Sequence, residues 1–287
     1  MKKCVLLSVL LLFNTSCHEK IKRDVIYTSF YPIYDLTKRI VRNRLEVINL
    51  TESFPEPHEF EPTAKEVVKV TEARCLLLNG VNLESYYYSL PKVIKDKTYL
   101  LSDRIQIKKV DNIDDPHYYL SIYNAINMMD YICDILNVVD NDNISFYRKN
   151  FEEEKKKFIS LDNEYRERIK EKNIKNIVVA HAAFGYLCSD YDINQFYIND
   201  LSYSDEPTIK KIASTISFIK ENNIKTIFIE ENSFSYVNQI AKETNCRIET
   251  LSTLEFLSKE EIEENNNYIS VMKDNLLKIL EVNDDQI

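Results

Sequence analysis

The sequence predicts an α/β protein of two lobes, each a parallel sheet flanked by helices, with one long rigid helix joining them. Three observations carry this. Short apolar, β-branched runs alternate with stretches of helical periodicity in both halves of the chain, the rhythm of parallel α/β sheets. Between the halves, Ile144 to Lys172 contains neither proline nor glycine and is rich in Glu, Lys and Arg. Within it Ile144, Tyr147, Phe151, Phe158, Leu161, Tyr165 and Ile169 step by 3, 4, 7, 3, 4 and 4, which is one face of a helix. At 1.5 Å per residue such a helix is roughly 43 Å long, enough to cross the molecule. The stripe suits packing on the protein's own lobes better than a coiled-coil arm, which is the alternative.

The elements follow in order. Val25-Ile26-Tyr27 and Leu45-Glu46-Val47-Ile48 read as strands. Between them Ile33, Leu36 and Ile40 have helical spacing, with Pro32 where a helix would begin. Thr63 to Glu72 reads as a helix, because Thr63 and Glu66 have the spacing of a capping box. Arg74 to Leu78 is a strand that ends toward Gly80. In the second half, Asn176 to Ala180, Phe196 to Ile198, Thr226 to Ile229 and Arg247 to Leu251 read as strands. Thr208 to Asn222 and Tyr236 to Thr244 read as helices, and Glu260 to Glu281 as one final helix.

The N-terminus has the layout of an export signal. Lys2 and Lys3 form a basic start, and Val5 to Phe13 is apolar apart from Ser8, too short to span a bilayer. Asn14-Thr15-Ser16 then precede Cys17, the order of a bacterial lipoprotein signal, although Asn14 stands where leucine is usual. The expectation is a signal peptide over residues 1–16 and lipidation of Cys17. A first lobe would then cover 17–143, the linking helix 144–172 and a second lobe 173–287. That arrangement places the body outside the cytoplasm on a lipid anchor, facing the periplasm or cell exterior.

Composition excludes several classes of function. The chain has 287 residues and a net charge of −9, without basic clusters, which argues against nucleic acid. Only Gly80 and Gly185 occur, so neither a P-loop nor a Rossmann glycine motif can form. Cys4 would leave with the signal, and Cys75, Cys133, Cys188 and Cys246 show no CxxC spacing for a zinc-thiolate cluster. Those four are either buried small side chains or partners in disulfides, Cys188 with Cys246 being the natural pair of the second half.

Four histidines occur, and His18 lies in the tether next to Cys17. The other three each sit where a strand or loop gives way to a helix. His58 lies in Glu56-Pro57-His58-Glu59-Phe60-Glu61-Pro62, His117 in Asp115-Pro116-His117-Tyr118-Tyr119-Leu120, and His181 directly after Ile177-Val178-Val179-Ala180. In parallel sheets, ligands bind outside the C-terminal ends of the strands. Three imidazoles meeting in a cleft between two lobes suit zinc, whose sites are tetrahedral.

These segments resemble the zinc/manganese ABC-transporter substrate-binding family. Thr28-Ser29-Phe30-Tyr31-Pro32-Ile33-Tyr34-Asp35-Leu36 is similar to its opening strand and turn. The three histidine segments are similar to its ligand motifs in the family's order, the third reading Ala180-His181-Ala182-Ala183-Phe184-Gly185-Tyr186-Leu187. Asn79-Gly80, Glu206-Pro207 and Ile227-Phe228-Ile229-Glu230-Glu231-Asn232-Ser233 also fall in place. The resemblance implies two lobes with the metal between them, His58, His117 and His181 as ligands, and delivery of the ion to an ABC permease and its ATPase by a monomeric binding protein. Histidine in the third motif resembles the zinc binders, whereas manganese-type members often have a carboxylate there, so zinc is expected and manganese is the alternative. One stretch departs from the family: Leu251-Ser252-Thr253-Leu254 stands where an aspartate ligand is common. The fourth position is left open among water, Glu59, Glu230, Glu231 and Ser252. Two other functions remain alongside transport. A zinc hydrolase would share the three histidines, although no HExxH occurs, and a surface adhesin would share the fold.

Overall fold

Two four-stranded sheets, every strand parallel to its neighbours, form the framework of the computed structural model, which describes residues 24–201, 206–230 and 235–282. The expected signal peptide, Cys17, His18 and Glu231 lie outside the described residues. The first sheet contains β1 (Val25–Thr28), β2 (Glu46–Asn49), β3 (Cys75–Leu78) and β4 (Thr98–Leu100), in the order β2-β1-β3-β4. A two-stranded hairpin, β5 (Lys109–Val110) with β6 (Ile113–Asp114), follows it. The second sheet contains β7 (Asn176–His181), β8 (Asn194–Asn199), β9 (Thr226–Ile229) and β10 (Arg247–Thr250), in the order β8-β7-β9-β10. Both sheets therefore have one topology: a first strand, its successor on one side and the next two on the other. The order reverses at β1/β3 and at β7/β9, where a crevice opens at the C-terminal strand ends.

The helices form where local chemistry directs them. In the first lobe they are α1 (Tyr31–Val41), α2 (Ala64–Glu72), α3 (Lys92–Lys95) and α4 (Ile122–Val139). Pro32 occupies the first turn of α1, and Thr63 with Glu66 makes a reciprocal capping box on α2. In the second lobe they are α6 (Gly185–Asp190), α7 (Ile209–Glu221), α8 (Ser235–Thr244), α9 (Lys259–Glu263) and α10 (Tyr268–Leu280). Thr208 caps α7 by accepting from the Lys211 N–H. The expected single C-terminal helix is thus two. Asn265 adopts a left-handed φ of 68°, which stops α9, and Asn267 starts α10 as an extended N-cap with a capping box.

The linking helix α5 runs Ile144–Lys172 and packs on α1, α4 and α10. Tyr147, Phe151, Phe158, Leu161, Tyr165 and Ile169 are all buried along its stripe, so it belongs to the core and is no coiled-coil arm. The step of seven from Phe151 to Phe158 is filled by Glu154, itself buried. Arg39 of α1 is the reason: it donates to Glu154 Oε2 at 2.9 Å, to Asp35 Oδ2 at 2.6 Å and to Asn267 Oδ1, the cap of α10, at 2.8 Å. One guanidinium thereby ties three helices together. The main core is continuous from Ile26 and Ile33 through Met128, Tyr147 and Phe158 to Val178, Phe228 and Leu276, so the lobes share one apolar interior. A smaller cluster around Tyr27, Phe60, Leu76 and Tyr86 covers the other face of the first sheet.

Cys75, Cys133, Cys188 and Cys246 are free buried thiols, so the Cys188–Cys246 disulfide does not form. The Cys246 thiol instead faces the Ile224 carbonyl at 3.3 Å. Among the described residues, no helix is long and apolar enough to cross a membrane.

Candidate metal centre

Each of the three histidines is placed by the end of a strand. His58 sits in a 3-10 turn (Pro57–Glu59) beyond β2. Buried Pro57 and Phe60 anchor this loop, Phe60 meeting Tyr86 edge-on at 5.8 Å. His117 begins a 3-10 turn (His117–Leu120) after the hairpin and is fully buried. His181 is the last residue of β7, paired in register with Asn199 of β8, and is 3% exposed.

A clamp at the end of β3 holds the His117 segment. Glu84, buried, accepts from the N–H groups of Asn79 at 2.7 Å and Gly80 at 2.9 Å. Asn79 then donates its side-chain amide to the Pro116 carbonyl at 3.0 Å, and its own carbonyl accepts from Tyr118 OH at 2.7 Å. Gly80 makes this turn with φ +85°, where an added Cβ would lie 2.4 Å from Ser102 Oγ. Gly80→Ala is expected to destabilise the protein by about 1–2 kcal/mol, the cost of a left-handed alanine. A shift of the urea midpoint at unchanged slope would measure it.

The side chains converge although they come from distant segments. The His58 and His117 ring centroids are 5.6 Å apart, and those of His117 and His181 are 5.0 Å apart. Glu255, which follows β10, completes the group. Its Oε1 lies 3.2 Å from His58 Nε2 and 3.5 Å from His117 Nε2. Donor atoms of His58, His117 and Glu255 all lie within 4.8 Å of one another. His117 Nε2 is buried and beyond hydrogen-bond range of the Glu255 carboxylate it faces at 3.5 Å, so this nitrogen is directed into the cluster, where a cation would fit between the two. The other ring nitrogens are used for orientation. His117 Nδ1 pairs with Asp115 Oδ1 at 2.8 Å, and His181 Nδ1 with Glu230 Oε1 at 2.8 Å. Carboxylates in this role fix the tautomer and turn Nε2 toward a metal.

The structure distributes the fourth-ligand candidates differently from the sequence reading. Glu230 orients His181. Glu59 is exposed. Ser252 is engaged in its own loop, where Oγ accepts from the Leu254 N–H and the backbone pairs with the Asn275 amide. The carboxylate that meets His58 and His117 is that of Glu255, which was not among the candidates read from the sequence. The available signal was an acid enclosed in the apolar run Leu254-Glu255-Phe256-Leu257. Leu254 is buried with φ 62°, a left-handed turn that is strained for leucine and presents the following residue to the site.

Burial opposes charge on His117, but its contacts with Asp115 and Glu255 outweigh burial and push its pKa up to about 10. Burial, aided by the His117 charge, holds His181 down at about 3. Burial would raise Glu255, yet the paired His117 and His58 rings take it well below the usual carboxylate range. At neutral pH His117 therefore carries a proton, paired with ionised Glu255. Beside the cluster lies a cleft of about 640 Å³ lined by Glu56, Glu230, Glu255, Glu261 and Asp274, with Lys278 as its one basic lining residue among the described residues. A wall of this sign concentrates cations at the mouth.

Residues 26–282 match the family model described as zinc-uptake complex component A, periplasmic. The chain belongs to this family. It is 32% identical to the zinc-binding lipoprotein AdcA of Streptococcus pneumoniae, over the whole of this chain and 62% of that protein. The chain thus spans less than two thirds of the AdcA proteins it matches. It is 33% identical to the high-affinity zinc uptake system protein ZnuA of Bacillus subtilis, over 88% of this chain and 85% of that one. The Zn(II)-bound ZnuA-like domain of Streptococcus pneumoniae AdcA superposes with a TM-score of 0.80 at 32% identity, covering 92% of this chain and all of the domain. The two-lobed α/β fold with its long helix is that of the family.

Proposed function

We propose that this chain captures a zinc ion outside the cytoplasm and hands it to an ABC importer, the permease and its ATPase. The observation that carries this reading is the cluster of His58, His117 and Glu255 donor atoms, with the His181 ring 5.0 Å from that of His117. Three imidazoles and one carboxylate suit four-coordinate zinc, whereas manganese favours oxygen-rich, higher-coordinate sites. The names of the relatives agree: zinc-binding lipoprotein, zinc uptake system protein. A hydrolytic zinc keeps one position open for water, whereas Glu255 beside the histidines offers a fourth protein donor. We further read Cys17 as the lipidated anchor of the exported chain. We place the lobes at 17–143 and 173–287, on either side of the helix over 144–172.

The ionisation of the cluster gives a test. Zinc and a proton compete for His117 Nε2, so binding must release the proton that His117 carries below about pH 10. Affinity should therefore rise with pH through the weakly alkaline range and level off near 10. Calorimetry at pH 8 in buffers of different ionisation enthalpy is expected to give one-to-one zinc binding with release of about one proton. No heat with either zinc or manganese would reject the reading. Delivery is tested by growth under zinc limitation: cells lacking the protein should be rescued by the wild-type chain and not by His181→Ala.

A further inference from the structure

We propose that Tyr119 is a positioning residue that pins Glu255 to a single ligating oxygen, and so sets the preference of the site for a four-coordinate ion. This rests on the zinc site proposed above. Tyr119 OH donates to Glu255 Oε1 at 2.8 Å. That same oxygen faces His58 Nε2 and His117 Nε2. A carboxylate oxygen has two lone-pair directions. With one taken by the phenol, the other is left for the metal, and Oε2 can turn inward only by breaking the Tyr119 bond.

Tyr119 is itself held from three sides. It is fully buried, and its ring meets Phe30 edge-on with centroids 4.9 Å apart. Its carbonyl accepts from Tyr268 OH at 2.6 Å. Tyr268 is the first residue of α10, directly after the cap residue Asn267 that Arg39 holds. The phenol is therefore braced by buried contacts to Phe30 and to the start of α10, while Glu255 sits on a loop. A fixed monodentate carboxylate with three imidazoles gives four donors, the tetrahedral number that suits zinc. A carboxylate free to rotate can bind through both oxygens and raise the coordination number toward what manganese prefers.

The experiment is Tyr119→Phe in the purified chain, with zinc and manganese affinities measured by competition and the visible absorption of the cobalt(II)-loaded protein recorded. Phenylalanine keeps the ring and its packing. Zinc affinity should fall about 10- to 100-fold, the usual loss when an outer partner of a ligand is removed. Manganese affinity should hold or rise, and the intense tetrahedral cobalt band should weaken as a fifth donor enters. Tyr165→Phe, which loses a buried hydroxyl bond to the Met272 carbonyl away from the site, should leave the metal ratio and the band unchanged. An unchanged zinc-to-manganese ratio with a full tetrahedral band in Tyr119→Phe would overturn the proposal. So would equal losses for both metals with the band intact, which would mark Tyr119 as structural only. A wild-type chain that binds none of the three metals would instead sink the zinc site itself.

Discussion

His181→Ala is expected to weaken zinc binding by more than about 100-fold, exceeding the loss typical of an outer-shell partner. His181 is the one imidazole contributed by the second lobe, and without it the ion is left with donors from the first lobe and Glu255. The substitution also leaves Glu230 without the ring it orients, but Glu230 borders the open cleft and can be hydrated. The fold should therefore survive, and a thermal melt of the metal-free variant checks this. An affinity within about threefold of wild type would show that the second lobe contributes no ligand. Glu255→Gln tests the opposite side of the same cluster. It should lower affinity and also lower the proton release at pH 8, because His117 loses the partner that helps keep it charged.

Arg39→Ala is expected to cost about 3 kcal/mol of stability, the lower end of what breaking a buried ion pair costs. The lower end applies because the partners are not left bare. Glu154 keeps Lys157 at 2.6 Å, whereas Asp35 loses its guanidinium and Asn267 loses a donor. Urea denaturation of the metal-free protein measures this directly. Since Arg39 sits where α1, α5 and α10 meet, loss of the contact should also loosen α10, which hydrogen exchange would detect as faster exchange over Tyr268–Leu280. A change below about 1 kcal/mol would mean that the shared apolar core alone holds the lobes.

The fold was legible where the signal is local. Apolar periodicity placed α5 at Ile144–Lys172, and the spacing of Thr63 and Glu66 marked the start of α2. The split between α9 and α10 was missed because Asn265 and Asn267 act through backbone conformation and capping inside a stretch whose apolar spacing alone continues as a helix. Glu154 is the converse case. A charge at a core position of the stripe makes sense only beside Arg39, which is 115 positions away in sequence. The candidate site divides in the same way. Each histidine could be found because a strand-to-helix transition is written into its neighbours. Glu255 carried only the weak signal of an acid within an apolar run, since it meets His58 across 197 positions and the tertiary fold brings them together. The sequence leaves the fourth donor open among water, Glu59, Glu230, Glu231 and Ser252, whereas Glu255 stands three residues after Ser252, beyond the left-handed turn at Leu254.

A zinc site of three imidazoles and one carboxylate shared between the lobes has a distinct local scattering signature. X-ray absorption at the zinc edge of the one-to-one complex tests it most directly. The expected result is four nitrogen or oxygen donors at about 2.0–2.2 Å, with the outer-ring scattering of three imidazoles and no sulfur. A shell of five or six light atoms with one or two imidazoles, or any zinc–sulfur distance near about 2.3 Å, would contradict it.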